Sequence, residues 1–156
     1  MKDQFVSYEQ ALALKELGFD EPCFTTYDNE GRLRNPFDYP KSEHAYNLPY
    51  IEDTKEWIYN SDLNNPANFH AANNPTLLKF YLDNPFTAAP LYQQVFDWFR
   101  KQHNLFGAVD YTLDGFYGII DYVGKLQSQK TETKNTYEEA RLACLVKLIE
   151  IVKSKK

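Results

Sequence analysis

Apolar residues recur along this chain with two different periods, and the alternation of those periods divides it into elements. Ala11, Leu14 and Leu17 return at helical spacing. Ser7 stands before them as an N-cap, with Gln10 three residues on to complete a capping box, and Val6 can staple onto Ala11. Gly18 suits the left-handed position that ends a helix, and Pro22 prevents its early resumption. "CFTTYDNEGRLR" then reads as a hairpin: Phe24 to Tyr27 is β-prone, Asp28 to Gly31 supplies turn residues, and Arg32 to Arg34 returns. A second helix runs through "APLYQQVFDWFRKQHN", with Pro90 in its first turn, Asn104 as its stop, and Leu91, Val95, Trp98 and Phe99 as an apolar stripe widened by Tyr92 and Phe96.

The strongest strand signal follows. Asp114-Gly115 between "AVDYTL" and "FYGIIDYV" predicts a type I′ hairpin that pairs Leu113 with Phe116, Tyr111 with Gly118 and Val109 with Ile120. Those residues, with Tyr122, then share the face that meets the helices, while Asp110, Thr112, Tyr117 and Asp121 share the other. "KLQSQKTET" can add a third, polar strand. A last helix starts at Thr136, where Glu139 makes a second capping box. Ala140, Cys144, Leu148 and Ile151 line one side of it, broadened by Leu145, Ile149 and Val152, so this helix should be largely buried. The predicted order is α-β-β-(insertion)-α-β-β-(β)-α. Residues 1–156 thus read as a single α+β domain, with helices packed on one face of a small antiparallel sheet.

Residues 35–87 have another texture. Six prolines from Pro36 to Pro85 and seven asparagines from Asn60 to Asn84 break the segment into turns and short helices. "NPTLLKFYLDNP" predicts a helix capped by Asn74, and "IEDTKEWIYNS" is a second helical candidate. Tyr39, Tyr46, Tyr50, Trp57, Tyr59 and Phe69 give this stretch too much apolar surface for a disordered linker. It reads as an ordered insertion whose rings form a candidate partner surface.

Charge changes the picture at the C-terminal end. Residues 1–123 hold 9 basic and 18 acidic side chains, and residues 124–156 hold 8 and 4. The overall charge of −5 argues against a generic polyanion binder. The last third is a solvated basic face or a contact surface for nucleic acid or an acidic partner. The order over residues 90–152 is similar to that of a double-stranded-RNA-binding domain, which implies phosphate contacts from lysines at the start of the final helix. Here that start reads Lys134-Asn135-Thr136-Tyr137-Glu138-Glu139, and the two glutamates would repel phosphate. Tyr117, read as exposed, and the strip Lys125, Lys130 and Lys134 are the candidate nucleic-acid contacts.

No constellation for catalysis stands out. His44, His70 and His103 lack the spacing that puts two imidazoles on one helix face, and neither Cys23 nor Cys144 has a near Cys or His, so no metal site is expected. Cys144, on an apolar helix side, reads as buried and inert, whereas Cys23 at a loop-to-strand junction reads as more exposed. Asp110 and Asp121 share a sheet face but not a rung. There is no nucleophile elbow and no phosphate-cradling glycine loop, so no cofactor and no enzymatic activity are expected. Two cysteines without a framework suit a reducing compartment. No apolar run follows the lone Lys of "MKDQFVSYEQ", and no stretch is long enough for a membrane span, so a cytoplasmic protein without membrane association is expected.

"FVSYEQALALKELGFDEPCF" at Phe5 to Phe24, "APLYQQVFDWFRKQHNL" at Ala89 to Leu105 and "TYEEARLACLVKLIEIVK" at Thr136 to Lys153 resemble, in the same order, a family of small uncharacterised proteins of bacteria and their phages. The resemblance implies a phage or mobile-element origin and carries no activity, cofactor or catalytic residue. Members of that family have a shorter stretch between the first two blocks, so residues 35–87 are where a role special to this chain would lie. The resulting expectation is a non-enzymatic protein that binds a protein partner or itself, with nucleic-acid binding through the basic last third as the alternative.

Overall fold

A computed structural model describes residues 2–23, 25–34, 83 and 86–155. Helices and strands are numbered here among those residues. The chain divides into two compact units, Met1–Pro90 and Leu91–Lys156, and its elements give the α+β class expected from the periodicity.

In the first unit, helix α1 spans Tyr8–Leu17. The Ser7 side chain accepts from the Gln10 N–H as an N-cap should, and its hydroxyl donates to the Gln10 side-chain carbonyl, in place of the backbone bond that would complete a capping box. The helix ends at Gly18, whose φ of 95° is open to glycine at little cost. Gly18 N–H then reaches the Lys15 carbonyl and Phe19 N–H the Leu14 carbonyl, while Phe19 and Leu14 are both buried, the pairing of a Schellman stop. Strands β1 (Thr26–Tyr27) and β2 (Leu33–Arg34) form the expected hairpin, with Thr26 opposite Arg34. Buried Asp28 holds its turn by accepting from the N–H groups of Glu30 and Arg32 and from the Arg32 guanidinium. Strand β3 (Thr87–Ala88) adds to the other side of β1, giving the order β2-β1-β3. The periodicity did not anticipate this strand. Pro90 lies outside the helix it was expected to open, and its carbonyl accepts from Val6 N–H.

The second unit runs α2 (Tyr92–His103), β4 (Leu105–Thr112), β5 (Gly115–Tyr122), β6 (Ser128–Lys130) and α3 (Tyr137–Lys153). The sheet is antiparallel in the order β4-β5-β6, so the polar third strand is present. Its hairpin differs from expectation. Thr112 pairs with Gly115 and Tyr111 with Phe116, so the turn residues are Leu113 and Asp114 rather than Asp114 and Gly115. Neither turn residue has positive φ, which excludes the mirror-image turn; Gly115 carries φ 139° instead. A side chain at Gly115 would also meet the Lys134 carbonyl at 2.3 Å. Every rung moves by two residues, which preserves the faces because strand side chains alternate with period 2.

The helices cover the face carrying Leu105, Gly107, Gly118 and Ile120. A Cβ at Gly107 would meet Leu148 at 2.8 Å and both Cys144 and Phe96 at 3.3 Å. One at Gly118 would meet Cys144 Cβ at 2.6 Å and its Cα at 3.0 Å. The two glycines let α3 lie directly on the sheet backbone, and Cys144, Leu145 and Leu148 are fully buried there. Helix α3 keeps its predicted start: Thr136 Oγ1 accepts from Glu139 N–H, and Glu139 returns the bond to Thr136 N–H.

Gly118→Ala should therefore destabilise the protein by about 1–3 kcal/mol, because the obstacle is α3 backbone as well as a side chain. Thermal denaturation followed by circular dichroism checks this. Thr136→Ala, which removes one cap, should cost about 1 kcal/mol.

Candidate functional site

The six rings proposed as a partner surface, Tyr39, Tyr46, Tyr50, Trp57, Tyr59 and Phe69, lie outside the described residues, as do His44, His70 and both helix candidates of that segment. The remaining candidates all fall in the second unit, where the outer sheet face sets their geometry.

Tyr117 sits on that face directly opposite Asp110. Its hydroxyl donates to Asp110 Oδ2 at 3.2 Å, and the Lys130 ammonium lies 4.8 Å from its ring centre. Lys130 arrives there because it pairs with Ile119, two residues along β5 and on the same face. Tyr117 is only 8% exposed, contrary to the expectation of a displayed ring, and has little face left for a base to stack on. Lys134 is also engaged. Its backbone forms an antiparallel bridge with Phe116, and its ammonium pairs with Glu132 at 3.4 Å. Lys125 is exposed in the turn after β5. The three lysines thus do not form one free strip. The start of α3 displays Glu138 and Glu139.

Asp110 and Asp121 are separated further than expected: Asp121 faces Phe106, and Asp110 accepts from Tyr111 N–H at 2.9 Å as well as from Tyr117. The bond from Tyr117 ties together the two residues of one rung, and the bond from Tyr111 N–H is local. Cys23 is fully buried, not exposed at its junction, and burial with Glu21 and Asp20 nearby pushes its thiol up to about 12. Burial pushes Cys144 up to about 12 as well. Burial lowers the Lys15 amine, whose proton is held by the Phe86 carbonyl at 3.1 Å. Among the described residues no group of three or more His, Cys, Asp or Glu is placed to hold a metal ion, and no helix is long and apolar enough to cross a membrane.

Two features were missed. Arg141 is buried in α3, with its guanidinium 4.1 Å from the Tyr92 ring and 5.6 Å from that of Tyr137. The spacing of Tyr137 and Arg141, four residues apart on one helix, carried that signal. The other is a set of displayed apolar side chains. Tyr111 is 75% exposed, Leu113 is 106% and Leu126 is 112%, and Phe106 and Val123 are also exposed. Leu113 was assigned to the helix-covered face, and it stands instead at the turn. These five of the eight large apolar residues exposed among the described ones lie on β4 and the two turns that bound β5, with Phe106 and Tyr111 on opposite faces of the strand. No family model, curated protein or solved structure matches the chain.

Both thiols should resist an alkylating reagent at pH 8 in the native protein and react at once in denaturant. Their reactivity should rise only as pH approaches about 12, since each folded-state thiol binds its proton more tightly than an ordinary cysteine. Mass spectrometry after a timed pulse reads this directly.

Proposed function

We propose that the chain is a non-enzymatic protein-interaction module, and that the hairpin β4–β5 with the turn after it is a contact element of its second unit. The exposed Tyr111, Leu113 and Leu126 carry this reading. Isolated apolar residues are common on surfaces, but concentration on one hairpin and its bounding turns, over an otherwise well-packed sheet, is the pattern of an interaction site. Exposed tyrosine supplies contact area at low entropic cost. The buried, unbridged thiols suit work in the cytoplasm, and the resemblance of three sequence blocks to bacterial and phage proteins supports that setting. The aromatic segment 35–87 is the second contact region in this reading, on its composition alone.

Leu113→Asp and Leu126→Asp should each leave the thermal midpoint unchanged, because both side chains are fully solvated, and should weaken association by about tenfold or more. Association is read by affinity capture from a bacterial lysate and by light scattering of the purified chain. A wild-type protein that is strictly monomeric and retains nothing overturns the reading.

A further inference from the structure

The outer edge of the sheet explains what one such contact would be. In an antiparallel ladder, residues alternate between those that bond across the rung and those that point N–H and C=O away. Phe116 bonds to Lys134, and Gly118 bonds to Thr131, so both turn their backbone groups away from β4. Their rung partners Tyr111 and Val109 must then point theirs away from β5, and Gly107 follows by alternation. Among the described residues no strand pairs with this edge. It is eight residues long and carries no Lys, Pro or bulge, the usual guards of an open edge. Its one charge, Asp110, covers the Tyr111 N–H and leaves those of Gly107 and Val109 uncovered. The opposite edge strand, β6, is only Ser-Gln-Lys.

The geometry points to a second copy of this chain as the occupant, joined β4 to β4 in antiparallel register about a two-fold axis at Val109. This inference rests on the interaction reading above and names its partner. Three features of the strand make it self-complementary. With the axis at Val109, the outward groups of Val109 bond to those of Val109 in the second copy, and Gly107 bonds to Tyr111. Asp110 then stands opposite Ala108 of the second copy, so the two Asp110 carboxylates are diagonal neighbours, about 7–8 Å apart, rather than directly opposed. On the helix side, the exposed Tyr111 ring of one copy lies opposite Gly107 of the other. There it lands beside half-buried Phe96, whose ring edge is placed 3.3 Å from where a Gly107 Cβ would be. The Asp110 carboxylate yields the Tyr111 N–H to the incoming Gly107 carbonyl. The product is a continuous six-stranded sheet with the α2 and α3 layers on one side, and the edge that β4 leaves open is closed.

Sedimentation equilibrium of the full chain should show a reversible dimer. Val109→Lys, which places two ammonium groups on the axis, should weaken it by about tenfold or more. Val109→Cys should form an interchain disulfide under mild oxidation, since opposed residues in a bonded antiparallel rung lie about 5.5 Å apart between Cα atoms, within disulfide reach. Tyr111→Cys should not, because the two substituted residues are four rungs apart. A monomeric wild-type chain, a dimer indifferent to Val109→Lys, or crosslinking through Tyr111→Cys instead of Val109→Cys overturns the inference. A monomer that still captures a host protein in a manner abolished by Leu113→Asp overturns only this assignment and leaves the interaction reading standing.

Discussion

The second unit depends on the absence of side chains at Gly107 and Gly118. These glycines sit on neighbouring strands and face the same helix, and Cys144 approaches both. Helix α3 can reach the backbone there only because the positions are bare. That contact brings Leu148 and Leu145 into full burial and sets the helix layer over one face of the hairpin. Close packing of this kind is intolerant of added volume, since interiors have almost no free space to give. Much else follows from it. The thiol of Cys144 is small enough for the gap and is inert because it fills it. With the helices confined to one face, the outer face must close itself by its own pairs, and the hydrogen bond from Tyr117 to Asp110 and the ammonium of Lys130 over the ring do so.

That arrangement also bears on the basic C-terminal third, whose lysines do not converge as a phosphate grip would need. A net excess of lysines matters for polyanion binding when the ammonium groups converge on one accessible groove. Here Lys130 is spent on an aromatic ring, Lys134 on Glu132, and Lys147 on Glu150 at 3.3 Å. Lys155 stands 5.4 Å from the centre of the Tyr122 ring. Arg141, which a count of charges would add to the basic surface, is buried between two tyrosines. Among the described residues the second unit also displays apolar side chains at the hairpin and its turns, and the protein-contact reading draws on these.

Elements whose signals are local were legible in the sequence. Ser7 with Gln10 and Thr136 with Glu139 announced two helix starts to the residue, since an N-cap bond is closed within one turn. Gly18 announced a stop for the same reason. Features set by distant chain were not legible. Asp114-Gly115 has the composition of a mirror-image turn, but Gly115 is claimed by the approach of the Lys134 backbone, and the turn shifts to Leu113 and Asp114. Strand β3 consists of two residues far in sequence from β1, too short to carry a period of its own. Tyr117 alternates with polar residues and so reads as exposed, yet it is covered by groups that come from neighbouring strands. Cys23 follows a proline in a loop-like run and is nonetheless buried.

The register shift also bears on what kind of surface the chain presents. Had the turn been Asp114-Gly115, Leu113 would have been a rung residue with Phe116 as its partner. Moving the turn back by one residue expels Leu113 into solvent while every other apolar residue of the hairpin keeps its face. The cost of leaving a leucine exposed is not offset by any contact among the described residues, and a polar residue would serve a turn equally well. The same holds for Leu126 in the turn after β5. Positions that a fold does not need to be apolar, and that are apolar anyway at both turns bounding one strand, are the ones on which the proposed association draws.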